Sequence, residues 1–409
     1  MRTTLRNKIL LLVSVTLFWA CSDKNPAEQP TERGPVFSWL STSGNRIVDD
    51  KGKSVILHGV NLPGLEWDLR GSGMTESDVI YICSEWKAKI IRIPFNQEWI
   101  VNDAEYRAFV DKVVGWIADN GAYVLLDLHW RNTAIKIPQI PDTGAVSMWR
   151  SVAERYKNNP AVLYDIHNEA HDTSWEAWRA RACEIIDAIR AVHPRSLIFV
   201  SGLDWAYDLR GWDANPLPYA NIVYSTHPYP FKAEPWAWDK YFGNAAATLP
   251  VFAGEFGGET ADIPWGRQLI AYFDRKALGW TAWSWNASPF LVGDDRRTAT
   301  PFGQVVRDAL LQSAGADTQW VALKNIQVLY IDKDRATVNW ETTVLSDSRV
   351  RYGATATYGD SAVAAALLKV HTIKLTGLGA DTRYHFQVQS RDEAGHVAVS
   401  GDSTFVTLP

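Results

Sequence analysis

Cysteine and methionine are scarce, with three of each in 409 residues. Three cysteines are too few for a disulfide framework, so the fold must rest on a buried apolar core. Cys83 and Cys183 fall on the predicted first and fourth barrel helices, which are not neighbours. Two free, largely buried thiols are the expectation. An excess of positive charge is missing too: 41 Lys and Arg stand against 46 Asp and Glu, a net charge of −5. With no basic cluster, the sequence speaks against nucleic acid as a partner. A chain of this length predicts two domains or more.

A bilayer-spanning run is absent from the start of the chain. Ile9 to Ala20 is apolar but only twelve residues long, behind Arg2, Arg6 and Lys8. That length and those flanks suit a signal peptide. The run stops at Ala20-Cys21-Ser22-Asp23, which resembles a bacterial lipoprotein cleavage site with Cys21 as the lipidated residue. Phe18 and Trp19 are bulkier than is usual there. Residues 1–21 are therefore expected to direct export, to an outer-membrane or cell-surface lipoprotein or to a secreted form. Residues 22–35, polar and carrying Pro26, Pro30 and Pro35, read as a flexible tether.

What is present is an alternation of short apolar runs and helical patterns. Eight strands are predicted: 54–61, 89–94, 123–129, 161–169, 196–202, 221–229, 250–257 and 279–286. Helical patterns lie between most of them. From Thr75 to Trp86, Thr75 and Asp78 frame a capping box, and Val79, Ile82, Cys83 and Trp86 share one face. Thr173 and Glu176 frame another start. Eight such units over residues 36–313 predict an α/β fold, a (β/α)8 TIM barrel. A hairpin over 44–56, turning at Asp50-Lys51-Gly52, precedes it.

The stretch 161–171, AVLYDIHNEAH, is a buried-strand pattern that ends in Asn168 and Glu169. By itself that glutamate could be a helix cap or a loop carboxylate. A second stretch, 250–257, PVFAGEFG, repeats the pattern and ends in Glu255. Chemistry in such a barrel sits at the C-terminal strand ends. Asn61, Arg92, His129 with Trp130, His227 with Tyr229, and Trp283 with Trp285 also fall at predicted strand ends. Two carboxylates at the mouths of buried strands suggest a glycosidase pair, one to protonate the leaving oxygen and one to attack carbon or activate water.

These motifs resemble glycoside hydrolase family 5, whose fourth strand ends in Asn-Glu-Pro and seventh in Gly-Glu-Phe/Trp. Ala170 stands here in place of the proline. The resemblance implies a retaining, endo-acting β-glycanase, most similar to endo-β-1,4-glucanases, with no metal and no cofactor. Xylan, mannan, xyloglucan and mixed-linkage glucan stay open as substrates; a barrel that only binds polysaccharide is the rival reading. By the resemblance Glu169 is the acid/base and Glu255 the nucleophile, whose charge raises the pKa of Glu169. Asn168 holds the sugar 2-hydroxyl, and Arg92 and Tyr229 surround Glu255. His129 and His227 bind hydroxyls and tune the pair, Trp130 contacts substrate, and Trp283 is the platform beneath the sugar. A monomer acting on polysaccharide is expected.

Of 20 tryptophans, 17 lie between residues 39 and 285, so they belong to the barrel segment. Trp86, Trp116 and Trp178 sit on helical faces and are expected in the core. Trp67, Trp99, Trp130, Trp205, Trp212, Trp236, Trp238 and Trp265 follow strands, where flat indoles suit the C–H faces of sugars. After a linker at 314–319 the pattern changes to period two. Residues 336–340, 349–352, 371–375 and 384–388 alternate like sandwich strands. Leu378, Thr382 and Tyr384, with Ala380 at the usual proline, resemble the corner of fibronectin type III domains, and Trp340 resembles their core tryptophan. An immunoglobulin-like all-β sandwich over 320–409, acting as a spacer, is the expectation.

Overall fold

The computed structural model describes residues 35–68, 73–212, 214–316, 321, 323–392 and 397–409. The signal peptide, Cys21 and all but the last residue of the tether lie outside the described residues. Among those described, no helix is long and apolar enough to cross a membrane.

The chain opens with a hairpin of β1 (Ser41–Ser43) and β2 (Arg46–Val48). Its turn is at Gly44 and Asn45, not at Asp50-Lys51-Gly52. The latter is a real turn, in which the Gly52 amide donates to the Asp49 carbonyl, but it closes only one bridge, Val48 to Ser54. The eight barrel strands and their helices follow. They are β3 (His58–Asn61), α1 (Glu76–Glu85), β4 (Ile90–Asn96), α2 (Gln97–Asn102), α3 (Ala104–Asp119), β5 (Tyr123–Trp130), α4 (Thr143–Tyr156), β6 (Val162–Asp165), α5 (Trp175–Arg190), β7 (Ile198–Ser201), β8 (Ile222–Thr226), β9 (Val251–Ala253), α6 (Ile263–Lys276), β10 (Gly279–Ala282) and α7 (Pro301–Ala316).

Strands β3 to β10 pair in parallel in sequence order, and β10 closes on β3. All eight predicted strands are present, most of them shorter than the sequence suggests. β6 stops at Asp165, β8 at Thr226, β9 at Ala253 and β10 at Ala282, so Glu169, His227, Tyr229, Glu255 and Trp283 lie on the loops above them. The physical reason is that polar side chains at a mouth leave the ladder to face the cleft. β4 departs the other way, running on to Asn96 and leaving Arg92 inside the barrel. Ser174, not Thr173, caps α5 by accepting from the Ala177 amide. Thr75 caps α1 as expected, its amide donating to Asp78 at 2.9 Å.

The barrel has two interiors. Toward its base Ile90, Leu125, Leu163, Leu197, Phe199, Val223 and Phe252 pack together, with Leu40 and Ile47 of the hairpin segment joining them as a plug. Toward the other end the interior turns polar, with Asn61, Arg92, Asp127 and Asp165 all buried. A second apolar layer between strands and helices takes in Trp86 and Trp178 as expected, while Trp116 is only partly buried. Cys83 and Cys183 are free, but half-buried instead of enclosed.

The C-terminal region is antiparallel: β11 (Leu323–Leu329), β12 (Arg335–Gly353), β13 (Asp360–Thr376), β14 (Arg383–Arg391), β15 (Val397–Val399) and β16 (Ser403–Val406). The order is β11-β12-β14-β15, with β13 also on β12 and β16 on β14. Two predicted strands, 336–340 and 349–352, are parts of the single β12. A register shift between Glu341 and Ser346 interrupts its ladder with β13 there. Trp340 is buried in this region's own core, with Val338, Val350, Leu375, Phe386 and Phe405.

Candidate active site

Arg92 organises the barrel mouth. Its guanidinium is fully buried, and every nitrogen is engaged. Nε donates to Asp165 at 3.0 Å, Nη1 to Asn61 at 3.0 Å and to Glu255 at 2.6 Å, and Nη2 to Asn168 at 2.9 Å. Nη2 is also 3.0 Å from Asp127. A buried charge is tolerated only when paired and hydrogen-bonded, and five acceptors meet that condition here. Strands β3 to β6 and the loops above β6 and β9 are thus tied to one cation.

Glu255 is committed at both oxygens. Oε1 accepts from Arg92, and Oε2 accepts from the Tyr229 hydroxyl at 2.8 Å. Burial and the nearby carboxylates push the Tyr229 phenol up, which keeps it a donor. The backbone below is fixed as well: the Gly254 carbonyl accepts from Asn61 at 3.1 Å and from Thr281 at 2.6 Å. Gly254 is required by space. A Cβ there would stand 2.4 Å from Ser225 Oγ and 2.7 Å from His227 Nε2.

Glu169 faces Glu255 across His227. Nδ1 of His227 is 3.1 Å from Glu169 Oε1 and 3.8 Å from Glu255 Oε2. Burial lowers the His227 pKa to about 3, so the imidazole is neutral. Burial raises the pKa of Glu169, although 14% of its side chain is exposed at the cleft. Arg92, His129, His171 and Lys232 oppose that rise. Desolvation, and not the Glu255 charge invoked from the sequence, is therefore the leading cause. The loop is pinned on both sides of Glu169: the Asn168 amide donates to Leu128, and His171 Nδ1 lies 3.0 Å from the Glu169 carbonyl.

One oxygen of each glutamate and one nitrogen of His227 lie within 4.8 Å of one another. That trio has the donor set for a cation, but both Glu255 oxygens already serve Arg92 and Tyr229. Carboxylate oxygens this close fit a pair about 5–5.5 Å apart better than one about 6.5–9.5 Å apart.

His129 Nδ1 is 2.6 Å from Asp127 Oδ2, and its ring stacks on Trp283 with centroids 5.3 Å apart at 17°. The Trp283 indole also donates to the Ser288 carbonyl at 3.1 Å, and the Trp283–Ser284 peptide is cis. Trp130 stands apart from this network, half-buried at the end of β5 with Lys136 over its ring.

Three residues above β7, Asp204, Trp205 and Ala206, have φ of 54°, 59° and 59°. Successive non-glycine residues in the left-handed region cost of order 1–3 kcal/mol each and need external support. Lys232, from the loop after β8, supplies it, reaching the Asp204 carbonyl at 2.5 Å and its carboxylate at 2.9 Å. The turn sets the Trp205 indole on the His171 ring, centroids 3.8 Å apart and nearly parallel at 6°. Among the other tryptophans that follow strands, Trp67 and Trp236 are exposed, Trp212 and Trp238 are core, and Trp99 and Trp265 are half-buried.

The structure brings together Arg92, His129, Asn168, Glu169, His227, Tyr229, Glu255 and Trp283. Sequence reasoning missed Asp127 and Asp165 and gave Asn61 no role. The signal was there: both aspartates interrupt runs that are otherwise buried and apolar, LLDLH and LYDIH.

A family model described as cellulase (glycosyl hydrolase family 5) matches residues 48–289. The chain belongs to glycoside hydrolase family 5. It is 28% identical over 321 residues to an endoglucanase of Paenibacillus polymyxa, covering 61% of this chain and 80% of that protein. It is 27% identical to endoglucanase E-5 of Thermobifida fusca, covering 73% and 66%. A β-glucanase of Saccharophagus degradans solved with cellotetraose superposes with a TM-score of 0.62 at 27% identity, over 68% of this chain and 95% of that one. The family 5 chain is a glycoside hydrolase of endo-β-1,4-glucanase-like type.

Proposed function

We propose that this family 5 enzyme is an exported, retaining endo-β-1,4-glucanase in which Glu169 is the acid/base and Glu255 the nucleophile. The observation that carries the reading is the asymmetry of the pair. Both oxygens of Glu255 are engaged, by a guanidinium and a phenol that orient it, while burial pushes the pKa of Glu169 up and its partner is a neutral imidazole. Glu255 attacks the anomeric carbon as Glu169 passes its proton to the leaving oxygen. With Glu255 then esterified, Glu169 takes a proton from water, which cleaves the ester. Asn168, His129 and His227 bind and orient the sugar, Arg92 orients Glu255 and Asn168 beneath it, Trp130 adds a cleft contact, and Trp283 supports its apolar face. β-1,4-Glucan is favoured as substrate by the endoglucanase relatives and the cellotetraose-bound neighbour.

The assignment is tested with azide and an activated aryl β-glycoside. Glu169→Ala should yield the β-glycosyl azide and Glu255→Ala the α product. Opposite anomers would reverse the two roles. Reducing-sugar release from a panel of glucan, mannan, xylan and xyloglucan decides the substrate, and preference for any of the last three removes the glucanase reading.

The reading extends to the rest of the chain: a barrel over 36–313, a linker, and a fibronectin type III-like spacer over 320–409. The spacer is supported by the Tyr384 hydroxyl, which accepts from the Gly379 amide at 2.8 Å as a tyrosine corner does. Export with lipid on Cys21 rests on the sequence of residues 1–23. A Cys21→Ser variant that still incorporates labelled fatty acid would overturn it.

A further inference from the structure

The loop after β8 leaves two large aromatic side chains in water, Phe231 at 85% and Trp236 at 80% exposure. A lone exposed apolar residue is ordinary on a protein surface. These two differ in the anchoring of the loop that carries them, and Phe231 in what it touches. The Phe231 ring lies nearly parallel to Tyr229, centroids 5.7 Å apart at 16°, and Tyr229 donates to Glu255. Phe231 therefore continues the wall of the cleft outward.

The loop is also rigid. Pro228, Pro230 and Pro235 restrict its backbone. The amides of Lys232 and Ala233 donate to the Tyr229 carbonyl at 3.0 and 2.8 Å. The buried Ala233 presents its carbonyl to two indoles, Trp238 at 2.9 Å and Trp265 at 2.8 Å. Lys232 holds the far side through Asp204. So much anchoring of a segment whose largest side chains face solvent is the pattern of a preorganised binding surface.

Its position on the rim gives the occupant. Trp283 follows β10 and Glu169 follows β6, on opposite sides of the closed barrel; β8, which precedes His227 and this loop, lies two strands from each. Phe231 lies on the loop whose Tyr229 meets Glu255 and whose His227 meets Glu169, so it borders the cleft beside the reacting pair. Resting on the proposed glucanase reading, we propose that Phe231 and Trp236, exposed on one anchored loop, form an outlying platform for glucosyl units of a polymeric β-glucan beyond the reacting sugar. Their rings stack on the sugar C–H faces. The platform favours long chains over short ones.

Phe231→Ala, Trp236→Ala and the double variant are assayed on soluble mixed-linkage β-glucan and on an aryl β-cellobioside, far shorter than the polymer. The expected result is a 5- to 30-fold fall in kcat/KM on polymer, within two-fold of parent on the aryl substrate, and recovery in Phe231→Tyr. Equal losses on both substrates make the loop structural and overturn the proposal, as does no loss on either. Mobility in gels containing β-glucan separates this from failure of the catalytic reading. A parent retarded by glucan and a double variant that runs free support the platform even if no bond is cut. Equal mobility overturns it, as does concentration-dependent self-association that the double variant abolishes.

Discussion

Arg92 Nη1 stands 2.6 Å from Glu255 Oε1, both side chains being almost wholly buried. The same guanidinium neutralises Asp127 and Asp165. Arg92→Met leaves three buried carboxylates without a cation and should cost about 3–5 kcal/mol. Thermal unfolding reads this directly, and an unchanged Tm would refute it. Arg92→Lys keeps the charge but cannot reach five acceptors from one nitrogen, so its kcat should fall at least about ten-fold, the loss expected when reacting groups shift.

Glu169 must carry its proton at the start of a cycle. Activity should therefore be lost as pH rises through its raised pKa, and the descending alkaline limb of kcat/KM should report it. Glu169→Gln, assayed on an aryl glycoside whose leaving group needs no proton, should lack that limb. A limb that persists unchanged would assign it to another group.

Buried neutral histidines give a separate pH effect. Burial lowers His58 to about 4 and His167 to about 3, from an ordinary value of 6.5. Below 6.5 the unfolded chain takes up these protons while the folded chain does not. Their contribution is thus fully present above that pH and is lost as pH falls toward 4. The raised carboxyl groups work in the opposite sense. The comparison that isolates the effect is parent against His167→Gln, whose Tm should fall less steeply between pH 6.5 and 4. Parallel curves would contradict it.

Gly254→Ala places a methyl 2.7 Å from His227 Nε2 and 2.4 Å from Ser225 Oγ. His227 has to move, and with it the contact to Glu169. Displacements of this size at a reacting centre cost roughly 10- to 100-fold in rate. Initial rates on an aryl β-cellobioside should fall by that factor while circular dichroism stays parental. Parental rates would mean that the ring yields without consequence.

Trp283→Phe keeps an aromatic face against His129 but loses the hydrogen bond to Ser288. Trp283→Ala loses both. Burial of a large apolar side chain is worth about 1.5–3 kcal/mol, so the alanine variant should lose roughly ten-fold or more in kcat/KM and the phenylalanine variant much less. Equal small losses would make Trp283 a bystander.

The barrel was legible because eight buried strands advertise themselves as short apolar runs, and polar or aromatic residues at or near the ends of most of them mark the mouth. The limits are physical too. Strand ends were overestimated at β6, β8 and β9 because residues such as Ile166 are apolar in the loop as well as in the ladder. Asp127 and Asp165 were passed over because their partner, Arg92, is distant in sequence. The left-handed turn at Asp204–Ala206 left no trace, since none of its residues is a glycine and its support comes from Lys232.

That support has a consequence for anyone who would rebuild this enzyme. Loops of such barrels are treated as separate cassettes, to be swapped one at a time for new specificity. Here the segment above β7 is held in part by a lysine of the next loop, and its Ala206 carbonyl accepts from the His227 amide of that same loop. Transplanting either segment alone would leave one half of a two-part latch, with Asp204 unheld or Lys232 idle. The heritable and engineerable unit at this edge of the cleft is the pair.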